Sequence, residues 1–261
     1  DVAIETFGEA RVRAYDLFPV AVQALINGDV DAVIMDNTAG LGYVGANPDQ
    51  VKIIGTSLRS DPLGFAFPPG SDLVASFNAA LESMMADGSL EEINRRWFVP
   101  TEEPAAEATE AAALPDLEGR TIRVAVENAY PPFNSINTET GEAEGWDYDA
   151  VNAICERLNC VPEFVQTSWD GMLVAIANGE FDVAADGITI TAEREESVDF
   201  SIGYLSVDQS ILVRADETRF ETTQDLIDDT ALTIGTQTGT TNYDVAIETF
   251  GEARVRAYDL F

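Results

Sequence analysis

From residue 121 onward, short apolar runs alternate with stretches whose apolar positions recur every three or four residues. TIRVAV (121–126) and VPEFVQ (161–166) read as strands, and AVNAICERL (150–158) between them has helical spacing. GMLVAIANG (171–179) reads as a helix with Gly179 as its stop, and FDVAADG (181–187) returns as a strand. QSILVR, DLIDD, ALTIGTQ and residues 240–250 repeat the strand–helix alternation. The first hundred residues obey the same rule. RVRAYD (11–16) is a strand, PVAVQALING (19–28) a helix and VDAVIMD (30–36) a strand, followed by LGFAFPPG (63–70) and DLVASFNAALESMMADG (72–88). This rhythm predicts an α/β protein with largely parallel sheets.

Two features interrupt the rhythm. TEEPAAEATEAAALPDLEG (101–119) is rich in Ala, Glu and Pro and has no aromatic residue, so it cannot bury enough to fold alone and reads as a linker. The eighteen-residue stretch DVAIETFGEARVRAYDLF occupies residues 1–18 and returns unchanged at 244–261. The offset of 243 residues is a domain length, far longer than a solenoid repeat. Placing residues 1–100 after Phe261 and merging the duplicated stretch gives one uninterrupted α/β sequence beginning near Gly119. The expectation is a circularly rearranged single unit with overlapping ends. A piece of a tandem array is the alternative, and self-association through the duplicated segment is a partner hypothesis that the overlap raises.

Composition narrows the chemistry. The formal net charge is −33, Lys52 is the only lysine and there is no histidine. Such a surface repels nucleic acid and anionic membranes and suits a cationic ligand, although most of the acids are expected simply to solvate the surface. Without histidine or clustered cysteines, neither a metal site nor a histidine-based catalytic site is expected, and no cofactor is implied. The two cysteines, Cys155 and Cys160, lie five apart at the end of a predicted helix. They can meet if the chain turns back after Leu158. A disulfide, and with it an oxidising compartment, is favoured over two buried thiols. No apolar run approaches the length of a membrane span.

Nine motifs, taken in the rejoined order, carry a family resemblance. They are ENAYPPFNS (127–135), GWDYD (145–149), SWDGM (168–172), DGITITAER (186–194), VDFSIGY (198–204), GTQTGTTNY (235–243), VDAVIMDN (30–37), LGFAFPPGSDL (63–73) and DGSLEEINRRWF (87–98). With them the chain resembles the polar-amino-acid solute-binding proteins of ABC importers, which have a type II periplasmic-binding-protein fold. The resemblance implies a two-lobed clamshell with two mixed sheets flanked by helices and a two-strand hinge. Lobe 1 would comprise residues 120–203 with 66–100, and lobe 2 residues 209–261 with 1–60. The hinge would lie at 61–65 and 204–208. An extracytoplasmic location and a permease of an ABC transporter as partner come with it.

The resemblance also implies site roles. Arg194 would take the α-carboxylate of an amino acid, since a planar, permanently charged fork offers two parallel N–H bonds. Gly239 and Thr240, in a Gly-rich turn running into a helix, would supply backbone N–H groups to the same carboxylate. Asp36, with Thr189 and the Gly187 carbonyl, would hold the α-ammonium. An Asp at a strand end is more often a helix cap, but the apolar run before Asp36 brings it out where α/β folds bind ligands. Tyr130 and Trp169 would sandwich the ligand side chain. Glu127 would reach its distal end, with Asp186 standing where many relatives have a small residue. No opposing cation is evident, because Gly235 replaces a lysine found in some relatives. Two acids and two aromatics favour a basic amino acid, arginine first, with glutamine or another polar amino acid as runner-up. The reading is of a binding protein rather than an enzyme. Its rivals are a receptor's ligand-sensing domain and a dehydratase of the prephenate/arogenate type, whose acid would be Glu127 or Asp186.

Overall fold

The computed structural model describes residues 20–98 and 114–258. The first copy of the repeated stretch, residues 101–113 of the expected linker and the last three residues of the second copy lie outside them. The elements before the linker are α1 (Val20–Asn27), β1 (Ala32–Asp36), α2 (Asn37–Ala46), β2 (Val51–Leu63), β3 (Ala66–Phe67), α3 (Leu73–Asp87) and α4 (Ser89–Trp97). After it come β4 (Arg120–Val126), β5 (Ala129–Tyr130), β6 (Asn134–Ile136), β7 (Ala143–Glu144), α5 (Trp146–Leu158), β8 (Cys160–Gln166), α6 (Met172–Ala177) and β9 (Val183–Ala184). The chain finishes with β10 (Asp199–Phe200), β11 (Leu205–Arg214), α7 (Thr223–Asp228), β12 (Ile234–Gln237), α8 (Thr241–Phe250) and β13 (Val255–Tyr258).

Two five-stranded sheets organise these elements, in the orders β13-β12-β1-β11-β2 and β10-β3-β9-β4-β8, with a small third sheet of β5, β6 and β7. Both large sheets are mixed, as the family resemblance implies and unlike the largely parallel sheets that alternation alone suggests. β4 runs parallel to β8 and β9, and β12 parallel to β1 and β13, as strand–helix alternation dictates. The remaining pairings are antiparallel because β2 and β11 carry the chain between the sheets and return beside each other, paired from Leu205 opposite Leu63 to Arg214 opposite Val51 with a register shift between Gln209 and Ile211.

Local patterning explains the elements. In α3 the buried residues Leu73, Ser76, Phe77, Ala80, Leu81 and Met84 fall three and four apart, a stripe that faces the core. α4 carries Glu91 and Glu92 in its first turn and Arg95 and Arg96 in its last, matching the helix dipole at both ends. Every residue of β1 is buried, with Ala32 and Ile34 on one face and Val33 and Met35 on the other, so a hydrophobic cluster lies on each side of that sheet. The predicted helix at 150–158 begins earlier, at Trp146, whose ring is wholly buried and stacks on Tyr204 and Phe65. The strand expected over 181–187 is only Val183–Ala184, because beyond it the chain turns to present side chains to the site. Cys155 and Cys160 form a disulfide joining the end of α5 to the start of β8, across the turn at Asn159.

Candidate functional site

The parallel strands of both sheets end facing the same cleft. Asp36 closes β1, Gln237 closes β12, Glu127 follows β4, and Asp186 lies two residues beyond β9. Carboxyl ends of parallel strands are where α/β folds place ligand groups, because the chain must leave the sheet there and turn. Asp36, Glu127, Tyr130, Trp169, Asp186, Gly187, Thr189, Arg194 and Thr240 all line one cavity. Gly239 sits at its rim, its carbonyl accepting hydrogen bonds from Trp169 Nε1 at 3.3 Å and Arg194 Nη2 at 3.4 Å.

Opposite charges stand apart within this cavity. The Arg194 guanidinium lies over the Trp169 ring, 5.2 Å from its centroid, and also donates to the Thr189 carbonyl at 2.9 Å. Burial pulls its pKa down, opposed by the neighbouring acids, Asp244 and Asp36 foremost. Asp36 is the N-cap residue of α2, yet its carboxylate caps nothing. Its oxygens instead accept hydrogen bonds from the Tyr130 hydroxyl and, at 3.0 Å, from Asn242 Nδ2. Burial pushes the Asp36 pKa up, and those two bonds oppose the rise.

Glu127 and Asp186 form a second acidic centre. Gln237 Nε2 donates to both Glu127 oxygens, at 3.2 and 3.3 Å, and the Trp169 backbone N–H donates to Oε1 at 3.4 Å. Asp186 Oδ1 accepts from the Glu127 N–H at 3.1 Å and from Asn134 Nδ2 at 2.7 Å. Both pKa values are raised, chiefly by burial, with the Asp186 charge adding to the rise at Glu127. The backbone beneath them requires glycine: at Gly187, φ is +54° and a Cβ would lie 2.9 Å from the Tyr130 ring.

Thr240 caps α8, its hydroxyl accepting from the Tyr243 N–H at 3.2 Å and donating to the Gln237 carbonyl at 2.8 Å. The first N–H groups of a helix have no partner inside it, and this end of α8 opens on the cavity, which Thr241 and Asn242 also line. The geometry therefore offers a carboxylate a guanidinium and a helix N-terminus, an ammonium the Asp36 oxygens, and a distal cation two more acids.

The cavity measures about 30 Å³, room for little more than water. Its walls are closed on one another: Tyr130 on Asp36, Gln237 on Glu127, Trp169 and Arg194 on Gly239, and Thr189 Oγ1 within 3.3 Å of Thr241 Oγ1. Each of these contacts joins the two sheets' sides of the cleft. A larger cavity of about 780 Å³ lies beside β11 and α4, but it does not collect the buried acids.

Gln237, Thr241 and Asn242 are the lining residues that sequence reasoning missed. The signal was available for Gln237, which ends an apolar strand as Asp36 does. Position 235 also needs correction as a reference for an opposing cation. A Cβ on Gly235 would pack against Val30, Val33 and Tyr258 rather than enter the cavity, so the residue facing Glu127 across the cleft is Gln237.

Comparisons with known proteins bear on the family and the fold. Residues 122–256 match the family model described as bacterial extracellular solute-binding proteins, family 3. A probable histidine-binding protein of Neisseria gonorrhoeae is 38% identical over 104 residues, 40% of this chain and 38% of that protein. A cyclohexadienyl dehydratase of Pseudomonas aeruginosa is 35% identical over 140 residues, 53% of this chain and 52% of the enzyme. An L-arginine-binding protein of the same species is 38% identical over 85 residues, 33% of this chain and 32% of the relative. The chain thus spans about half or less of each relative's length. Among solved structures, an ancestral amino acid-binding protein that is a precursor of cyclohexadienyl dehydratase superposes with a TM-score of 0.50 at 30% identity, over 66% of this chain and 65% of that one. The fold is the two-lobed α/β fold of the periplasmic binding proteins, with mixed sheets flanked by helices.

Proposed function

Because the chain belongs to the bacterial extracellular solute-binding proteins of family 3, we propose that it captures a free L-amino acid between its lobes, a basic one first, for delivery to an ABC importer. One observation carries the reading: Arg194 and Asp36, one partner for each end of a zwitterion, line the same cavity as a pair of acids suited to a cationic side chain. Arginine leads because Glu127 and Asp186 would repel an acidic ligand and attract a guanidinium, which the Tyr130 and Trp169 rings would also favour. A glutamine amide, which can donate to the same oxygens, ranks second.

In this reading the lobes are residues 120–203 with 66–100, and 209–261 with the first sixty. Residues 61–65 and 204–208 form the hinge. The small cavity fits a cleft that opens to admit the ligand and exchanges its own cross-cleft hydrogen bonds for bonds to it. The disulfide and the family suit an extracytoplasmic protein, and the chain order suits a rearranged single unit. Native mass spectrometry of the purified protein should find a co-purified amino acid released on denaturation. Loss of no mass on denaturation, together with no binding of added amino acids, would contradict the reading.

The similarity to a dehydratase supports a second reading, in which a buried acid kept protonated donates to a leaving hydroxyl. Incubation with prephenate decides it. The binding-protein reading expects no phenylpyruvate, and catalytic formation of that product would establish the enzyme.

A further inference from the structure

Glu127 and Asp186 are 5% and 4% exposed, and the hydrogen-bond donors that reach them among the described residues are neutral: the Gln237 and Asn134 amides and two backbone N–H groups. No ion pair within 4.0 Å joins either acid to a cation among the described residues. Arg194, the guanidinium that lines the cavity, is held on the Thr189 and Gly239 carbonyls. Behind the pair stands a third acid. Asn134 Nδ2 donates to Asp147 Oδ2 at 2.8 Å as well as to Asp186, and Asp147 is wholly buried with Oδ1 unpartnered. Buried carboxylates without a cation resist carrying full charge together, as two acids sharing one site usually keep a proton between them.

We propose that Glu127 and Asp186 share one proton in the ligand-free cleft and that a cationic ligand is selected by displacing it. The proposal deepens the amino-acid-binding reading and rests on it. No bond other than O–H is broken. The proton leaves to solvent, the ligand's cation takes its place between the two carboxylates, and the buried end of the cleft keeps one net negative charge in both states. A neutral side chain leaves the proton in place and accepts or donates a hydrogen bond instead. The same pair can therefore serve arginine and a neutral amide by different means, with the cation favoured as pH rises.

The titratable and charged groups facing the pair are of three kinds. They are Asp147 and Tyr148 from α5, Tyr130 from β5, Asp36 from β1, Tyr43 from α2, Tyr204 just before β11, and Arg194. Asp147 and Asp36 disfavour a second negative charge when they are ionised, the tyrosines are neutral phenols whose pKa values burial raises further, and Arg194 alone favours the charge. With both acids raised in the free cleft and ionised in the cation complex, the complex binds fewer protons. Arginine affinity therefore climbs with pH until the free pair loses its proton, and is level above that point.

Calorimetry of the full chain in buffers of different ionisation heat reads the proton directly. Arginine should release about one proton per molecule bound near pH 6, citrulline (its neutral isostere) almost none, and arginine affinity should rise by up to about tenfold per pH unit below neutrality. In Asp186→Asn the release should shift to lower pH, since Glu127 then lacks its charged neighbour. Carboxyl-carbon NMR titration of the ligand-free protein supplies a ligand-independent readout, with at least one of the two acids expected to titrate well above the ordinary carboxylate range. Arginine binding without proton release, or equal release with citrulline, overturns the proposal while leaving the amino-acid reading intact. Two ordinary titrations in the NMR experiment overturn it as well. Failure of arginine, citrulline and glutamine all to bind overturns the reading beneath it and the selection step together.

Discussion

At the scale of single residues, the site is a set of charges placed where strands end. Arg194 is the sharpest case, because its guanidinium is half-buried, rests on Trp169 and reaches carbonyls on both sides of the cleft. Arg194→Ala should weaken amino-acid binding by about 2–5 kcal/mol in calorimetric titration, since it leaves the ligand's carboxylate desolvated without its partner. Arg194→Lys should recover only part of this, because an ammonium cannot offer two parallel N–H bonds. Unchanged affinity in the alanine variant would remove Arg194 from the site. The charged and aromatic members of the cavity were legible in sequence because each follows a recognisable apolar run or sits in a quoted motif. Gln237, Thr241, Asn242 and Asn134 sit in such motifs too, but of these only Gln237, at the end of an apolar strand, had a signal of its own. Neutral polar residues carry no charge cue, and their importance comes from partners up to 206 positions away, as with Asn242 and Asp36.

At the scale of elements, the repeated stretch meets the fold. Its second copy finishes α8, burying Val245, Ala246 and Phe250, and supplies β13, which pairs with β12 in parallel register from Val255 opposite Ile234 to Tyr258 opposite Gln237. Removal of residues 244–261 would strip this sheet of its edge strand and leave α8 only its first turn, next to the site. That deletion should lower both the melting temperature and ligand affinity. Deletion of residues 1–18 should leave both nearly unchanged, because the second copy already supplies the end of α8 and β13. Thermal denaturation and titration of the two truncations check this, and the opposite ranking would make the N-terminal copy the structural one. Helices and buried strands were readable from apolar spacing, as in α3 and β1. The length of β9 was not, because FDVAADG is apolar for reasons of burial as well as pairing, and burial alone persists through Asp186 and Gly187.

For the whole molecule, alternation of strands and helices foretold an α/β protein but not mixed sheets, which only the family resemblance implied. The antiparallel pairings arise from β2 and β11 crossing between the sheets, a long-range event with no local periodic signature. That crossing brings two sets of strand ends to one cleft, with Asp36 and Gln237 on one side and Glu127, Asp186 and Arg194 on the other. With a net charge of −33 the surrounding field also favours approach of a cation over an anion. The central claim, a basic amino acid held in this cleft, is tested most directly by isothermal titration of arginine, glutamine and glutamate into the purified chain at neutral pH. The predicted order is arginine tightest, glutamine weaker and glutamate far weaker than both. Glutamate binding more tightly than arginine, or no binding by any of the three, would contradict it.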